Sequence, residues 1–163
     1  MVRRVVQALF DAGVSRVEVV LGHEEARLRE ALVDSGAGLI ANPDWSEGMG
    51  RSIAIAATAL AEESSGPPAG LLIAFGDLPS LRPEEIRSVL EAFERDPSPS
   101  SICVPNFEGR VGHPVLFGAA HLPALAALDG DRGATTRTLP FDQSRGRRHP
   151  HLAHDASRSP AAA

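Results

Sequence analysis

The stretch Leu71-Leu72-Ile73-Ala74-Phe75-Gly76-Asp77-Leu78-Pro79 decides the fold class of this chain. An uninterrupted apolar run between Gly/Pro-rich segments predicts a strand covered on both faces, as in the sheet of an α/β protein. Asp77 then falls at the carboxyl end of that strand, where open α/β sheets form their ligand crevice. Gly76 allows close approach of the backbone and Pro79 fixes the exit. A carboxylate in that place is suited to hold a divalent cation against phosphate oxygens, or else to turn the chain into the next helix.

The rest of the composition narrows the class. At 163 residues, the chain suits one domain with its own core. Apolar residues make up 43% and charged residues 23%, as in ordinary globular proteins. A net charge of −5 argues against nucleic acid or an anionic membrane as the main partner. Cys103 is the single cysteine, which excludes an internal disulfide framework and fits a reducing, cytoplasmic setting. It lies in Ile102-Cys103-Val104, where a buried structural thiol is expected. No apolar run is long enough to span a bilayer. Lysine is absent altogether, so arginine carries all the non-histidine basic charge.

Periodicity outward from the Asp77 strand predicts alternating helices and strands. Val2, Val5, Val6, Leu9 and Phe10 recur at helical spacing, with Gly13 at the helix end. Val17 to Leu21 predicts a strand. Glu24 to Ser35 predicts a helix with Leu28, Ala31 and Leu32 inward. Leu39 to Ala41 predicts another strand, and Ile53, Ala56, Ala57 and Leu60 stripe the following helix. Pro83, Glu84 and Glu85 begin a helix whose buried face is Ile86, Val89, Leu90 and Phe93. Ile102 to Pro105 and Pro114 to Phe117 are strand-like, the latter expected at an edge or a strand start because it opens on proline. Ala119 to Leu128 predicts a helix with Pro123 in its first turn. Such alternation implies βαβ units and a mostly parallel sheet. The domain is expected to occupy residues 1–140, and residues 141–163, rich in Arg, His, Pro and Ala, are expected to form a disordered tail.

Further segments place Gly, Asp, Asn or His in turns. In Asn42-Pro43-Asp44-Trp45-Ser46-Glu47-Gly48-Met49-Gly50-Arg51-Ser52-Ile53, Gly48 and Gly50 are expected to leave N–H groups open at a positive helix end, for an anion or a nucleobase edge. The simpler reading is a capped helix with Trp45, the sole tryptophan, as a core plug. In Gly109-Arg110-Val111-Gly112-His113-Pro114, His113 could donate to a phosphate or substrate oxygen, or be a hydrogen-bonded turn histidine. In Gly130-Asp131-Arg132-Gly133-Ala134, Asp131 is either a second acidic metal contact or a turn residue.

Taken in order, Asn-x-x-Trp-x-x-Gly-Met-x-x-Ser-Ile, Gly-Asp-x-Pro, Gly-His-Pro-Val-Leu-Phe and Gly-Asp-x-Gly-Ala resemble the molybdenum cofactor cytidylyltransferases, within the wider MobA-like NTP transferases. The resemblance covers about Val5 to Ala134. It implies a three-layer α/β/α Rossmann-like nucleotidyltransferase fold. It also implies transfer of a cytidylyl group from CTP to a molybdenum pterin, with release of pyrophosphate and possible contact of the protein with a molybdoenzyme or its chaperone. By the same resemblance, Asp77 is catalytic and holds Mg²⁺ together with Asp131. Asn42, Gly48, Met49 and Ser52 line the nucleotide pocket, and Gly112, His113, Gly130 and Gly133 border the substrate side. Fixed dipoles and metal charge suit the meeting of two anionic phosphates.

The resemblance also sets out differences. Family members begin with a strand and a Leu-Ala-Ala-Gly phosphate loop ending in lysine, and neither is found here. The expectation is therefore a domain that lacks the first strand and phosphate loop, started internally and impaired in activity. A GTP-using relative and a non-catalytic nucleotide- or pterin-binding remnant are the alternatives. A receiver-like domain fits poorly without lysine, and a flavodoxin-like domain fits poorly with the acidic loop Gly22-His23-Glu24-Glu25.

Overall fold

A computed structural model describes residues 1–62, 66, 68–107 and 110–130. Asp131, Gly133 and the expected tail at 141–163 lie outside the described residues. In chain order the elements are α1 (Val2–Asp11), β1 (Glu18–Leu21), α2 (Glu25–Leu32), β2 (Gly38–Ala41), α3 (Met49–Ala61), β3 (Gly70–Ile73) and α4 (Pro83–Arg95). The short strands β4 (Ile102–Cys103), β5 (Asn106–Phe107) and β6 (Arg110–Val111) follow, then β7 (Val115–Gly118) and α5 (Leu122–Ala126).

The fold is α/β, with helices on both faces of the strands. β1 and β2 pair in parallel, Leu21 opposite Ala41. β7 lies between β3 and β4 and is antiparallel to both, so β3 and β4 run in the same direction. β5 and β6 form a small hairpin that the sequence did not announce. Pro114 meets the expectation of a strand start, but β7 is the central strand of its sheet and not an edge. The ladder tolerates the proline because pairing begins one residue later, at Val115 opposite Ile73.

β3 divides two apolar clusters by its period of two. Leu71 and Ile73 pack with Ile53, Ala54 and Ala57 of α3, Phe117 of β7, and Leu122 and Leu125 of α5. Leu72 and Ala74 pack with Val5, Val6 and Leu9 of α1, Leu21 of β1, Leu32 of α2 and Ile86 of α4. These two clusters give the three layers. Both faces of β3 are covered as expected, yet all its residues remain half-buried. Among the described residues it is hydrogen-bonded to a neighbouring strand along one edge, that of β7.

Local chemistry explains the helices. On α1 the inward positions Val5, Val6 and Leu9 are buried, and Gly13 follows the helix at φ 97°, a conformation that glycine adopts without a Cβ penalty. At the start of α4, Pro83 needs no N–H partner, and the Glu85 carboxylate accepts from the Arg82 N–H at 3.0 Å. α2 stops at Leu32, earlier than Ser35, because Val33 is extended and Asp34 is left-handed at φ 59°. Within it Ala31 faces solvent, contrary to the inward position expected of it, while Leu32 is buried. Pro123 stands in the first turn of α5, as expected.

Candidate functional site

The Asp77 turn leaves β3 at its carboxyl end. Phe75 and Ala74 continue the strand direction, and the Leu78 N–H closes back on the Phe75 carbonyl at 3.4 Å. Val2, at the start of α1, lies against Gly76, and a Cβ there would meet its side chain at 3.4 Å. Asp77 is exposed, and its carboxylate makes no hydrogen bond or ion pair with the described residues. Among the described residues it therefore neither caps the next helix nor pairs with an arginine.

His113 arrives at the same end of the sheet by strand register. Ile73 pairs with Val115, so the two antiparallel chains bring His113 level with Phe75. Their rings lie 4.0 Å apart between centroids. His113 Nδ1 is buried without a hydrogen-bond partner among the described residues. Burial lowers the His113 pKa, and the backbone of Ile73 works the other way. The balance favours the neutral imidazole. Gly112 is held beside β4, its N–H donating to the Pro105 carbonyl at 2.9 Å.

Asn42 ends β2 and is 1% exposed. Its Nδ2 donates to Ser52 Oγ at 3.0 Å, and its Oδ1 accepts from the Asp44 N–H at 3.0 Å. The side chain thus ties the strand end to the first turns of α3. Ser52 keeps its own hydroxyl proton available for another acceptor. Gly48 precedes α3 at φ 113°, and Met49 is exposed.

Two expectations for this loop are corrected. The N–H groups of Gly48 and Gly50 are not open. Gly48 donates to the Trp45 carbonyl at 3.4 Å and Gly50 to the Gly130 carbonyl at 2.9 Å. The chain returns 80 residues later to cap α3, a partner that local sequence could not display. Trp45 is not a core plug either, since it is 45% exposed. Its inner atoms press on Gly22, where a Cβ would lie 2.5 Å from the Trp45 Cβ. The His23 ring stands 4.9 Å from the indole.

The Gly48, Ser52 and Gly130 positions are therefore joined through α3, and Asp77 and His113 through β3 and β7. Gly130 itself is left-handed at φ 62°. Among the described residues no group of three His, Cys, Asp or Glu side chains is poised to hold a metal. Asp77 fits a cation that keeps several waters and takes its other oxygens from phosphates, as Mg²⁺ does. Cys103 is half-buried, and burial pushes its thiol up, so it is a structural thiol and not a nucleophile. No helix among the described residues is long and apolar enough to cross a membrane.

Comparison with known proteins agrees with the α/β fold. A curated relative, the bifunctional protein GlmU of Geotalea daltonii, is 28% identical over 137 residues, which is 82% of this chain and 29% of that protein. The GlmU of Geobacter metallireducens is 35% identical over 92 residues, 56% of this chain and 18% of that protein. The chain thus spans less than a third of the length of these relatives. Among solved structures, Rv0371c of Mycobacterium tuberculosis in complex with manganese superposes with a TM-score of 0.65 at 22% identity, covering 80% of this chain and 64% of that one. A nucleotidyl transferase from Methanothermobacter also gives 0.65, at 24% identity over 80% of this chain and 60% of that one. These likenesses show the nucleotidyltransferase fold. A family model, the MobA-like NTP transferase domain, matches residues 1–158, and the chain belongs to that family.

Proposed function

We propose that this protein transfers the CMP group of CTP to the phosphate of a molybdenum pterin, releasing pyrophosphate. The observation that carries the proposal is the exposed Asp77 carboxylate at the exit of β3, unpaired among the described residues and two residues beyond Phe75, whose ring meets that of His113. In this reading Asp77 holds Mg²⁺, which supplies positive charge to the phosphates. Manganese in the Rv0371c complex supports a divalent cation in this fold. Ser52 donates its hydroxyl proton to a phosphate oxygen, and Asn42 fixes Ser52 in place. The Gly48-Met49 turn borders the nucleotide. His113, Gly112 and Gly130 border the acceptor, together with Gly133 and a second metal contact at Asp131 in the undescribed segment. Delivery to a molybdoenzyme or its chaperone in the cytoplasm belongs to the same proposal.

The competing reading is a non-catalytic protein that binds nucleotide or pterin. The closed N–H groups of Gly48 and Gly50 favour it, because they remove two donors that would cradle phosphates. Pyrophosphate release from each of the four nucleoside triphosphates, with Mg²⁺ and a molybdenum pterin acceptor, separates the two readings. CTP-dependent release that Asp77→Asn lowers by on the order of 100-fold supports the transferase. Release with GTP alone transfers the proposal to a guanylyl donor. Nucleotide binding without any release supports the non-catalytic reading.

A further inference from the structure

We propose that Trp45, flanked by His23, is a stacking platform for the planar heteroaromatic ring of a ligand. The inference rests on the nucleotidyltransferase reading and deepens it. Tryptophan is among the most costly side chains to leave in water, yet the only one in this chain is 45% exposed. The exposure is not looseness. The Trp45 Cβ and Cγ rest on Gly22, so close that any side chain at that position would collide. Trp45 opens a 3₁₀ turn, Trp45–Glu47, which the Glu47 N–H closes on the Asp44 carbonyl at 2.9 Å. Asp44 is itself held by Arg51 at 3.3 Å and by the Asn42 side chain. The inner edge of the indole is thus fixed while its outer surface stays in water.

Position gives the platform its use. His23 lies two residues beyond Leu21, and Trp45 four beyond Ala41, and those two residues are paired at the carboxyl ends of β1 and β2. That is the edge where an open α/β sheet receives ligands. The His23 ring stands 4.9 Å from the indole at a 52° tilt, lending the pair a second aromatic surface. Exposed Met49 follows in the first turn of α3, three residues before Ser52. A rigid, half-wet aromatic on the same segment as the Ser52 hydroxyl, to which the proposed function gives a phosphate oxygen, matches a ligand with a flat ring at one end and phosphate at the other. Both the base of a nucleotide and a phosphorylated pterin have that form.

The test uses the full chain. Its single tryptophan gives one indole Nε1–H resonance, observable in a two-dimensional nitrogen–proton spectrum. CTP with Mg²⁺, 6-hydroxymethylpterin monophosphate, and ring-free ribose 5-phosphate and pyrophosphate are titrated separately, with calorimetry alongside. A saturable shift with CTP assigns the platform to the base, and a shift with the pterin alone assigns it to the acceptor. Ribose 5-phosphate and pyrophosphate are expected to leave the resonance in place. Trp45→Leu is expected to weaken the shifting ligand roughly tenfold, with Trp45→Phe recovering most of the loss. His23→Ala, which leaves the Gly22 contact intact, is expected to weaken it by a smaller factor. Calorimetric binding of CTP and of the pterin with an unmoved indole resonance and unchanged affinity in Trp45→Leu overturns the platform and leaves the transferase reading standing. Absence of heat with both ligands overturns that reading, and the platform with it.

Discussion

The rings of Phe75 and His113 lie 4.0 Å apart, tilted by 44°, at the point where β3 hands the chain to Asp77. Phe75 belongs to the strand exit that carries the acid, and His113 to the turn that opens β7. One ring contact therefore joins two loops across 38 residues of sequence, from Phe75 to His113. The antiparallel pairing of Ile73 with Val115 makes that contact unavoidable once the strands align.

Acid should act on this joint. Burial holds the His113 pKa below its ordinary value near 6.5. The unfolded chain then takes up a proton that the folded chain resists. Stability is expected to fall as pH drops below about 6.5 toward the lowered folded pKa, and to level off beneath it. Urea unfolding of the wild type and of His113→Phe between pH 5 and 8 should show the slope reduced in the variant. Parallel curves would show that His113 titrates alike in both states.

Asn42 is a strut between the end of β2 and the first turns of α3. Asn42→Ala strands a buried strand end, removing the acceptor of the Asp44 N–H and the donor to Ser52. The expected cost is about 2–3 kcal/mol, against about 1 kcal/mol for Ser52→Ala. Denaturant midpoints of both variants measure this, and a cost for Asn42→Ala no larger than that for Ser52→Ala would contradict the strut.

Two glycines should respond to alanine for opposite reasons. At Gly118 the backbone is ordinary, at φ −66°, but a Cβ would crowd the Pro99 carbonyl and stand 2.6 Å from that of Ser98. Overpacking against backbone is expected to cost roughly 2–3 kcal/mol. At Gly13 nothing lies within 4 Å, yet φ is 97°. There the cost is conformational, about 1 kcal/mol. Thermal melts of the two variants should rank Gly118→Ala well below Gly13→Ala, and the reverse order would place the strain elsewhere.

What could be read from sequence was what local periodicity encodes. Val5, Val6 and Leu9 mark the inner face of α1, and Ile86 and Val89 that of α4, because a 3.6-residue stripe exists before any tertiary contact forms. The place of Asp77 after an apolar strand was legible for the same reason. Distant partners were not. Trp45 looked like core because its type usually is, and only the space above Gly22 lets it sit outside. Gly50 looked like an open donor until Gly130 arrived from the far end of the chain. Pro114 looked like an edge because the rule concerns paired residues, and here pairing starts after it.

Asp77→Asn separates folding from ligand chemistry. The carboxylate is exposed and, among the described residues, unpaired, so stability should stay within about 0.5 kcal/mol of the wild type. Its contribution should emerge only with a cation present. In wild type, removing Mg²⁺ with a chelator is expected to lower CTP affinity about tenfold, since the phosphates then meet a carboxylate without an intervening charge. In Asp77→Asn that same removal should change affinity little, because amide oxygen is a weak anchor for a hard cation and no longer repels phosphate. Calorimetry of both proteins with and without Mg²⁺ reads the four values. An undiminished metal effect in the variant would place the cation on other residues and detach Asp77 from the chemistry assigned to it.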